Sequence, residues 1–348
     1  MSSPLILVLN VGSTSTKVAL YGGSEQLCQE ELPFLQSLPL AEQFSPRRSQ
    51  LLDFLTLKEI KASQLSIIVS RGGLMKPLPA GTYSINAQMC SDLKAGRYGV
   101  HPSGLGPVIA LEIASPLGIP AVTVDPPSTD EFHELARISG LPGVERKSAF
   151  HALSQKAAAR KAAKEKSMRY EDCNFVVAHL GGGITVGAHL QGRVVDCSHG
   201  LSEGPFTPER AGALPTLALL EQSAGIEVQE LKRRLVGEGG LSAYLGTKDA
   251  REIEKRINAG DKEAKLLFSA MAYQVAREIG AMAAVLGGKL DGIVLTGGLS
   301  RSAMLVEWIK ERVFFLADIY IFSENEMEAL AQGALRVLTG EDEPVLYN

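Results

Sequence analysis

A short internal similarity limits the folds open to this chain more than any other part of its sequence. Residues 8–16 (VLNVGSTST) align without gaps with residues 177–185 (VAHLGGGIT). Each stretch has the pattern of an apolar strand, a tight turn of Gly, Ser or Thr, and a second strand that continues into a hairpin. If the two stretches are a duplication, they predict two domains of like topology with a cleft between them.

Short β-branched runs alternate with longer helical patterns along the rest of the chain. The runs that predict strands are residues 5–9, 17–21, 67–69, 121–124, 175–178, 185–190, 292–296 and 319–322. The helical patterns cover residues 151–166, 228–235, 249–257, 262–286, 304–315 and 326–338. Such alternation is typical of an α/β architecture with parallel strands. Hairpins that turn at Gly22–Gly23 and Gln191–Gly192 add antiparallel strands to it.

A chain of 348 residues fits two domains better than one core. The stretch Asp125–Asp130 follows a predicted strand and contains two prolines, which stop regular structure. We therefore predict a first domain of residues 1–127, completed by a C-terminal helix of residues 328–348, and a second domain of residues 128–327.

Charge and composition exclude several classes of function. The formal net charge of −4 gives no basic balance for binding nucleic acid or an anionic membrane. The longest apolar helical pattern, Met271–Leu286, is interrupted by Arg277 and Glu278, so it cannot span a bilayer. The four cysteines form no CxxC pair, which argues against a zinc site or a disulfide framework. We expect a cytoplasmic protein.

The first copy of the internal similarity has the chemistry of a phosphate-binding turn. In Asn10–Lys17 (NVGSTSTK), Gly12 allows a tight turn, and successive backbone N–H groups can donate to phosphate oxygens. The hydroxyls of Ser13 and Ser15 add donors, and Lys17 adds a positive charge. The motif is not a Walker A loop. A polar hairpin turn without a ligand is the alternative.

The second copy, His179–Thr185, places Gly181, Gly182 and Gly183 directly after an apolar strand. Since no side chain bars the backbone there, the turn suits a polyphosphate. A tight turn alone would also need glycine, so the structural alternative stays open.

Two further stretches are candidates for nucleotide contacts. Gly292–Leu299 predicts a strand, a turn at Gly297 and Gly298, and a helix start, an arrangement that can hold a base or ribose against backbone. In Gly246–Arg251, either Thr247 or Asp249 caps a helix, and a cap without a ligand is an equal reading.

Together these motifs resemble those of the butyrate kinases, in the acetate kinase group of the actin/Hsp70/sugar-kinase superfamily. The resemblance extends from about residue 5 to residue 338. The motifs that carry it, in the family's order, are NVGSTSTK (10–17), SRGG (70–73), RKSAFH (146–151), HLGGGIT (179–185), EGPFTPER (203–210) and ENEME (324–328).

The resemblance implies an α/β fold of two duplicated actin-like (ribonuclease H-like) ATPase domains with an interdomain active-site cleft. It implies reversible phosphoryl transfer between ATP and butyrate, giving ADP and butanoyl phosphate, with Mg²⁺ and in a homodimer or higher homo-oligomer. Isobutyrate, propionate or acetate kinase activity is the near alternative. An actin-like nucleotide-binding module without an acyl acceptor and an acyl phosphatase of the same fold are alternatives from other classes.

The resemblance also implies roles for individual residues. Arg71 would meet the carboxylate, although acetate kinases have two more residues between this arginine and the Gly-Gly turn. Asp125 and Glu326 would work with magnesium, and His151 and Arg210 would stabilise the transferring phosphoryl group. The phosphates would be bound by Asn10, Ser13, Ser15 and Lys17 in the first motif and by His179 with Gly181–Gly183 in the second. His101 matches another site histidine, but its neighbours differ.

Each of these residues also has a structural interpretation, as a surface ion pair, a helix cap, a turn residue or a helix N-terminal acid. His133, His189 and His199 match no motif, and we interpret them as structural or surface residues.

The predicted chemistry needs positive charge more than it needs a base. A carboxylate is already ionised near neutral pH, so no general base is required. An anion must instead approach an anionic phosphoryl group, and arginines, a histidine and Mg²⁺ meet that need by positioning and electrostatic stabilisation. We expect direct in-line transfer without a phosphorylated side chain.

Overall fold

The computed structural model describes residues 3–35, 38–323 and 325–348. Glu324, the first residue of the ENEME motif, lies outside the described residues. The chain divides into two compact units, Met1–Thr129 with Asn325–Asn348, and Asp130–Glu324. The domain limits given above stay a prediction, and each unit is described by itself.

The elements alternate along the chain as the sequence pattern predicts. The strands are β1 Leu5–Val11, β2 Ser15–Gly22, β3 Glu25–Pro33, β4 Leu65–Ser70, β5 Thr82–Ser84, β6 Ala121–Val124, β7 Asn174–Leu180, β8 Ile184–Leu190, β9 Arg193–Cys197, β10 Gly292–Thr296, β11 Ile319–Phe322 and β12 Val345–Leu346. The helices are α1 Phe44–Leu57, α2 Ala87–Ala95, α3 Leu105–Ala114, α4 Glu134–Arg137, α5 Ala152–Glu165, α6 Thr216–Gln222, α7 Val228–Leu235, α8 Gly240–Leu245, α9 Ala250–Asn258, α10 Lys262–Val285, α11 Ala303–Val313 and α12 Glu326–Thr339.

The described residues of the first unit form a seven-stranded sheet in the order β12-β5-β6-β4-β1-β2-β3. Strands β1, β4 and β6 run parallel, and β2 and β3 continue the sheet in antiparallel hairpins. The C-terminal helix α12 packs on β1, β4 and β6. It comes close because Gly333 faces Val124, where a Cβ would lie 2.6 Å from that side chain.

The described residues of the second unit form a five-stranded sheet in the order β11-β10-β7-β8-β9. Successive residues of β7 point to opposite faces, so Val176 joins the core built on α10, whereas Phe175 and Val177 join the core built on α5. The α5 face is made of alanines, including Ala158 and Ala162, which let this helix lie close to the sheet.

The predicted α/β fold class is confirmed, and every strand and helix predicted from periodicity is present. Both predicted hairpins form, as β2–β3 and β8–β9. Helix α3 was not predicted because it is apolar on nearly all sides, so it lacks the polar face that gives a helix its sequence period. Strand β5 was missed because it has only three residues.

The two copies of the internal similarity occupy corresponding places, since β1 and β7 each have a parallel and an antiparallel neighbour. The gapless alignment is nevertheless wrong after the turn. Val11 pairs with Thr16 across the first turn, but Leu180 pairs with Ile184 across the second. The second turn is therefore one residue shorter, and the strand that follows it is shifted by one position.

Among the described residues, no helix combines the length and the apolar character that a membrane crossing requires.

Candidate functional site

The turn between β1 and β2 is closed by its own backbone. The N–H of Gly12 donates to the carbonyl oxygen of Ser15 at 2.8 Å. The side chains of Ser13 and Lys17 are exposed. The hydroxyl of Ser15 instead donates to a carboxylate oxygen of Glu31 at 2.5 Å. The turn therefore offers a hydroxyl and an ammonium group to solvent, while the predicted donor Ser15 is held by an anion.

A buried arginine, Arg47 of α1, lies behind this turn. The side chain is 0% exposed, and burial lowers its pKa. Within the described residues, its guanidinium makes six hydrogen bonds to neutral acceptors, which are the carbonyls of Gly12, Ser13 and Ser15, the hydroxyl of Thr16 and, twice, the amide oxygen of Gln43. The turn is thus fixed from behind by a positive charge that these partners do not neutralise.

Three residues predicted for the site meet at the carboxyl ends of β1 and β4. The side-chain amide of Asn10 donates to Oε2 of Glu326 at 2.8 Å. Nη2 of Arg71 lies 3.4 Å from Oε1 of the same carboxylate. Each oxygen of Glu326 therefore has its own partner, and the three side chains form one polar cluster.

Asp125 follows β6 and is 1% exposed. Its backbone has a positive φ of 39°, in the left-handed region that a non-glycine residue rarely adopts. Two hydrogen bonds hold it there, because its N–H donates to the carbonyl of Gly81 and its Oδ1 accepts from the N–H of Gly81, both at 2.9 Å. This buried carboxylate at a strand end is positioned by backbone.

Asp125 and Glu326 fit a magnesium ion in donor type, because carboxylate oxygens are the hard ligands that Mg²⁺ prefers. Among the described residues, no group of three or more His, Cys, Asp or Glu side chains is arranged to hold a metal. A magnesium ion bound by Asp125 and Glu326 would keep several of its waters, because Mg²⁺ gives up its hydration shell reluctantly.

His101 begins a 3₁₀ turn, Pro102–Gly104, and its Nδ1 lies 2.8 Å from the hydroxyl of Ser103. Partial burial and the positive charge of Arg71 lower the pKa of His101. The electrostatic effect of Arg71 links this histidine to the cluster in the first unit.

In the second unit, the glycine turn lies against an arginine. A Cβ on Gly183 would overlap the guanidinium of Arg210. Nη1 of Arg210 donates to the carbonyl of Gly200 at 2.7 Å. The hydroxyl of Thr207 donates to the carbonyl of Gly182 at 2.6 Å. Glycine is required at residue 183 because the cation occupies the space that a side chain would fill.

Burial lowers the pKa of Arg210, and the charge of Glu209 opposes this effect. Glu209 is itself paired with Lys248, whose Nζ lies 2.9 Å from Oε2. Arg210 is still charged at neutral pH, since an arginine pKa lies far above it.

Two histidines stack beside this turn. The rings of His151 and His179 are parallel to within 15°, with their centroids 4.0 Å apart. Nδ1 of His151 lies 2.9 Å from the hydroxyl of Thr185. Thr185 on β8 is the antiparallel partner of His179 on β7. The family resemblance assigned no role to Thr185, although it ends the HLGGGIT motif.

The remaining candidates for nucleotide binding lie at element ends. Gly297 has φ of 89°, and a Cβ there would overlap the carbonyl of Leu180, so the turn after β10 passes close to the end of β7. Around Gly298, a Cβ would meet no atom within 4 Å. Asp249 caps α9 by accepting from the N–H of Arg251 at 2.9 Å. The side-chain hydrogen bond from Arg251, followed by this backbone hydrogen bond, lowers the pKa of Asp249.

The predicted site residues thus fall into two groups. In the first unit, Asn10 and Arg71 both contact Glu326. In the second unit, His151 contacts His179, and Gly183 lies against Arg210. Arg47 was missed because a single sequence gives no signal for an arginine that folds inward from a helix.

The fold is that of actin-like ATPases and matches solved acetate and propionate kinases. An acetate kinase from Porphyromonas gingivalis is 20% identical, with a TM-score of 0.79 over 96% of this chain and 100% of that chain. A propionate kinase from Francisella tularensis is 22% identical, with a TM-score of 0.75 over 95% and 98%. An acetate kinase from Entamoeba histolytica is 16% identical, with a TM-score of 0.78 over 96% and 100%.

Residues 142–343 match the model of the acetokinase family, and this is more than half of the 348-residue chain. The chain therefore belongs to the acetokinase family, which indicates a kinase with a carboxylate as phosphoryl acceptor.

Proposed function

We propose that this protein is a butyrate kinase, which transfers a phosphoryl group reversibly between ATP and butyrate to give ADP and butanoyl phosphate. The observation that carries the proposal is the contact of the Arg210 guanidinium with the Gly183 backbone. It puts a cation at a glycine turn with the chemistry of a phosphate site, within the part of the chain that matches the family.

The transferring phosphoryl group would be stabilised by Arg210 and His151. Phosphoryl transfer passes through a loose transition state whose charge is spread over the equatorial oxygens, and fixed donors aimed at those oxygens lower its energy. Arg210 already donates to the carbonyl of Gly200. That bond fixes the orientation of its planar fork, so little order is lost when the remaining N–H groups bind phosphate.

The acceptor carboxylate would bind Arg71, whose pairing with Glu326 orients its side chain. A carboxylate and a planar guanidinium form two parallel hydrogen bonds, which a lysine cannot reproduce. Asn10 fixes the other oxygen of Glu326. When bound through Glu326 and Asp125, Mg²⁺ would neutralise charge on the ATP phosphates.

No side chain of this set is needed as a nucleophile, so transfer would be direct and in line. We expect no phosphorylated protein on the main path. A stoichiometric, kinetically competent phosphoprotein formed from ATP alone would contradict direct transfer. We further propose a cytoplasmic homodimer or higher homo-oligomer.

The proposal of butyrate rather than acetate as the substrate rests on the sequence motifs. The free energy of burying a methylene limits how strongly the enzyme can prefer butyrate. Each buried methylene contributes about 0.8 kcal/mol, so the two additional methylenes of butyrate contribute about tenfold in kcat/KM. Isobutyrate buries a similar apolar area, so it is the nearest alternative, followed by propionate.

The test is hydroxamate formation from ATP with acids of two to six carbons. A maximum at or near butyrate, with acetate clearly weaker, is the expected result. A kcat/KM for acetate equal to or above that for butyrate would make the protein an acetate kinase with the same mechanism. ADP that forms equally fast without any carboxylate would contradict kinase activity toward carboxylates. It would point to a nucleotide-binding module, and release of phosphate from acyl phosphate without ADP would point to a phosphatase.

A further inference from the structure

A buried chain of polar side chains begins at His151 and continues away from the glycine turn. It passes through Thr185 and Gln155 to His189 and Tyr170, with contacts of 2.9, 2.9, 3.0 and 2.7 Å between successive side chains. Thr185, Gln155 and His189 are each 0% exposed. Gly187 makes room for it, because a Cβ there would lie 2.5 Å from Oε1 of Gln155.

The direction of each hydrogen bond can be derived from one acceptor. The side-chain nitrogen of Gln155 lies 3.0 Å from the backbone carbonyl of Thr185, which can only accept. The amide therefore has its NH₂ group toward Thr185, and the opposite flip would place two oxygens against each other. Its second N–H reaches the hydroxyl oxygen of Thr185 at 2.9 Å.

The same orientation fixes the state of His189. Oε1 of Gln155 can only accept, so Nε2 of His189 carries a proton and donates to it. Burial, followed by the positive charges of Lys156 and Arg160, lowers the pKa of His189 well below its ordinary value. His189 is therefore neutral, and its Nδ1 accepts from the hydroxyl of Tyr170.

At the other end, the hydroxyl of Thr185 has only one hydrogen to donate. Its oxygen contacts the side-chain nitrogen of Gln155, the backbone N–H of His151 and Nδ1 of His151. The first two groups are donors, and they occupy the two lone pairs of the hydroxyl oxygen. The contact with Nδ1 of His151 is therefore made by the hydroxyl hydrogen, which is donated to that nitrogen. A neutral His151 then carries its proton on Nε2.

We propose that this buried network fixes the tautomer of His151, with Thr185 and Gln155 as its positioning residues. The imidazole hydrogen of His151 is thus on Nε2 before any substrate binds. The inference rests on the proposed function for its catalytic meaning, because a phosphoryl oxygen that gains charge in transfer needs a donor rather than a lone pair.

The tautomer can be measured without any activity. Protein labelled with ¹⁵N at histidine would be recorded at about pH 9, well above the ordinary histidine pKa of about 6.5. In the wild type we expect Nδ1 of His151 to have the chemical shift of an unprotonated imidazole nitrogen and Nε2 that of a protonated one. The opposite pattern, or equal averaging of the two, would overturn the inference.

A pair of variants tests the network itself. Thr185→Ser keeps the hydroxyl and should keep the wild-type pattern, whereas Thr185→Val has nearly the same shape but cannot donate. The valine variant should show both tautomers, with a kcat about tenfold lower and an unchanged KM for ATP, since the donor to Nδ1 of His151 is lost together with the hydrogen bonds that the hydroxyl accepts. Circular dichroism would verify that both variants are folded. A valine variant with the wild-type tautomer would overturn the inference.

Failure of the proposed function has a different signature. If the wild type has the predicted tautomer but forms no acyl phosphate, the network stands and the kinase proposal fails. If acyl phosphate forms but Nδ1 carries the proton, the kinase proposal stands and the tautomer inference fails.

Discussion

The side-chain amide of Asn10 and the carboxylate of Glu326 are joined by a hydrogen bond of 2.8 Å, although 316 positions separate them in the chain. The bond connects the carboxyl end of β1 with the first turn of α12. A negative charge is favourable in the first turn of a helix. Glu326 therefore has two roles: it stabilises the start of α12, and it binds Asn10 and Arg71.

Replacing Glu326 separates these two roles. Glu326→Gln can still accept from Asn10, but it loses the charge that pairs with Arg71 and that would bind magnesium. We expect kcat to fall at least about 100-fold while thermal unfolding changes little, since the ion pair is partly exposed. The matched control is Glu328→Gln, which removes a charge from the same helical turn. Equal losses in both variants would reduce the role of Glu326 to a helix-terminus effect.

The exposed glycine of the second turn allows binding to be tested without loss of the fold. Gly182→Val would meet mainly the flexible carboxylate of Glu209, 3.1 Å from the new Cβ. We expect a folded protein that no longer binds ATP, because a branched side chain blocks the approach of phosphate to the backbone. Isothermal calorimetry measures the affinity. Wild-type affinity in the folded variant would exclude this turn as the phosphate site.

Arg210 is expected to act on the transition state rather than on substrate binding. Arg210→Ala should lower kcat by roughly 10³-fold and change KM for ATP much less, by analogy with arginines that stabilise phosphoryl transfer. Arg210→Lys should recover little, because a point charge cannot replace a planar fork. Arg233→Ala, at an exposed site on α7, is the control. A lysine variant with a normal kcat would make Arg210 structural.

Arg47 should contribute strongly to stability in spite of its buried charge. Arg47→Ala removes the guanidinium that donates to the carbonyls of Gly12, Ser13 and Ser15, and it opens a cavity. The carbonyl of Ser15 keeps the N–H of Gly12 as a donor. We expect a loss of about 2–4 kcal/mol in the free energy of unfolding, measured in urea. Arg48→Ala, next in the same helix, removes only a 3.7 Å surface ion pair with Glu112, so we expect about 0.5 kcal/mol or less. Equal stability of the two variants would contradict this role.

Periodicity and glycine turns were sufficient to predict most strands of the two sheets, because a buried strand and a tight turn leave local signals in the sequence. The short strands β5 and β12 leave no such signal. The cluster of Asn10, Arg71 and Glu326 was reached only through family motifs, since no local pattern brings residues from both ends of the chain together. Gln155 and His189 could not be found from one sequence. Their roles depend on which way side chains point inside a folded unit, and a lone glutamine or histidine has no distinctive pattern.

His189 gives the protein a dependence of stability on pH that can be assigned to one residue. In the folded state its pKa lies well below the ordinary value because of burial and of the charges of Lys156 and Arg160. In the unfolded state it titrates near about 6.5. Below that pH the unfolded chain binds a proton that the folded chain does not, so the free energy of unfolding falls as the pH falls. One such proton has a limiting slope of about 1.4 kcal/mol per pH unit.

Between about pH 7.5 and pH 5.5, His189 should therefore lower the stability by about 1 kcal/mol. His101 and His199 also have lowered pKa values and add to the slope, so the wild type is compared with His189→Gln, which cannot titrate. Glutamine can still accept from Tyr170 and donate to Gln155, so the network is kept. Urea unfolding at both pH values should show a smaller loss in the variant, by about 1 kcal/mol. Identical pH dependence in the two proteins would mean that His189 titrates normally in the folded state.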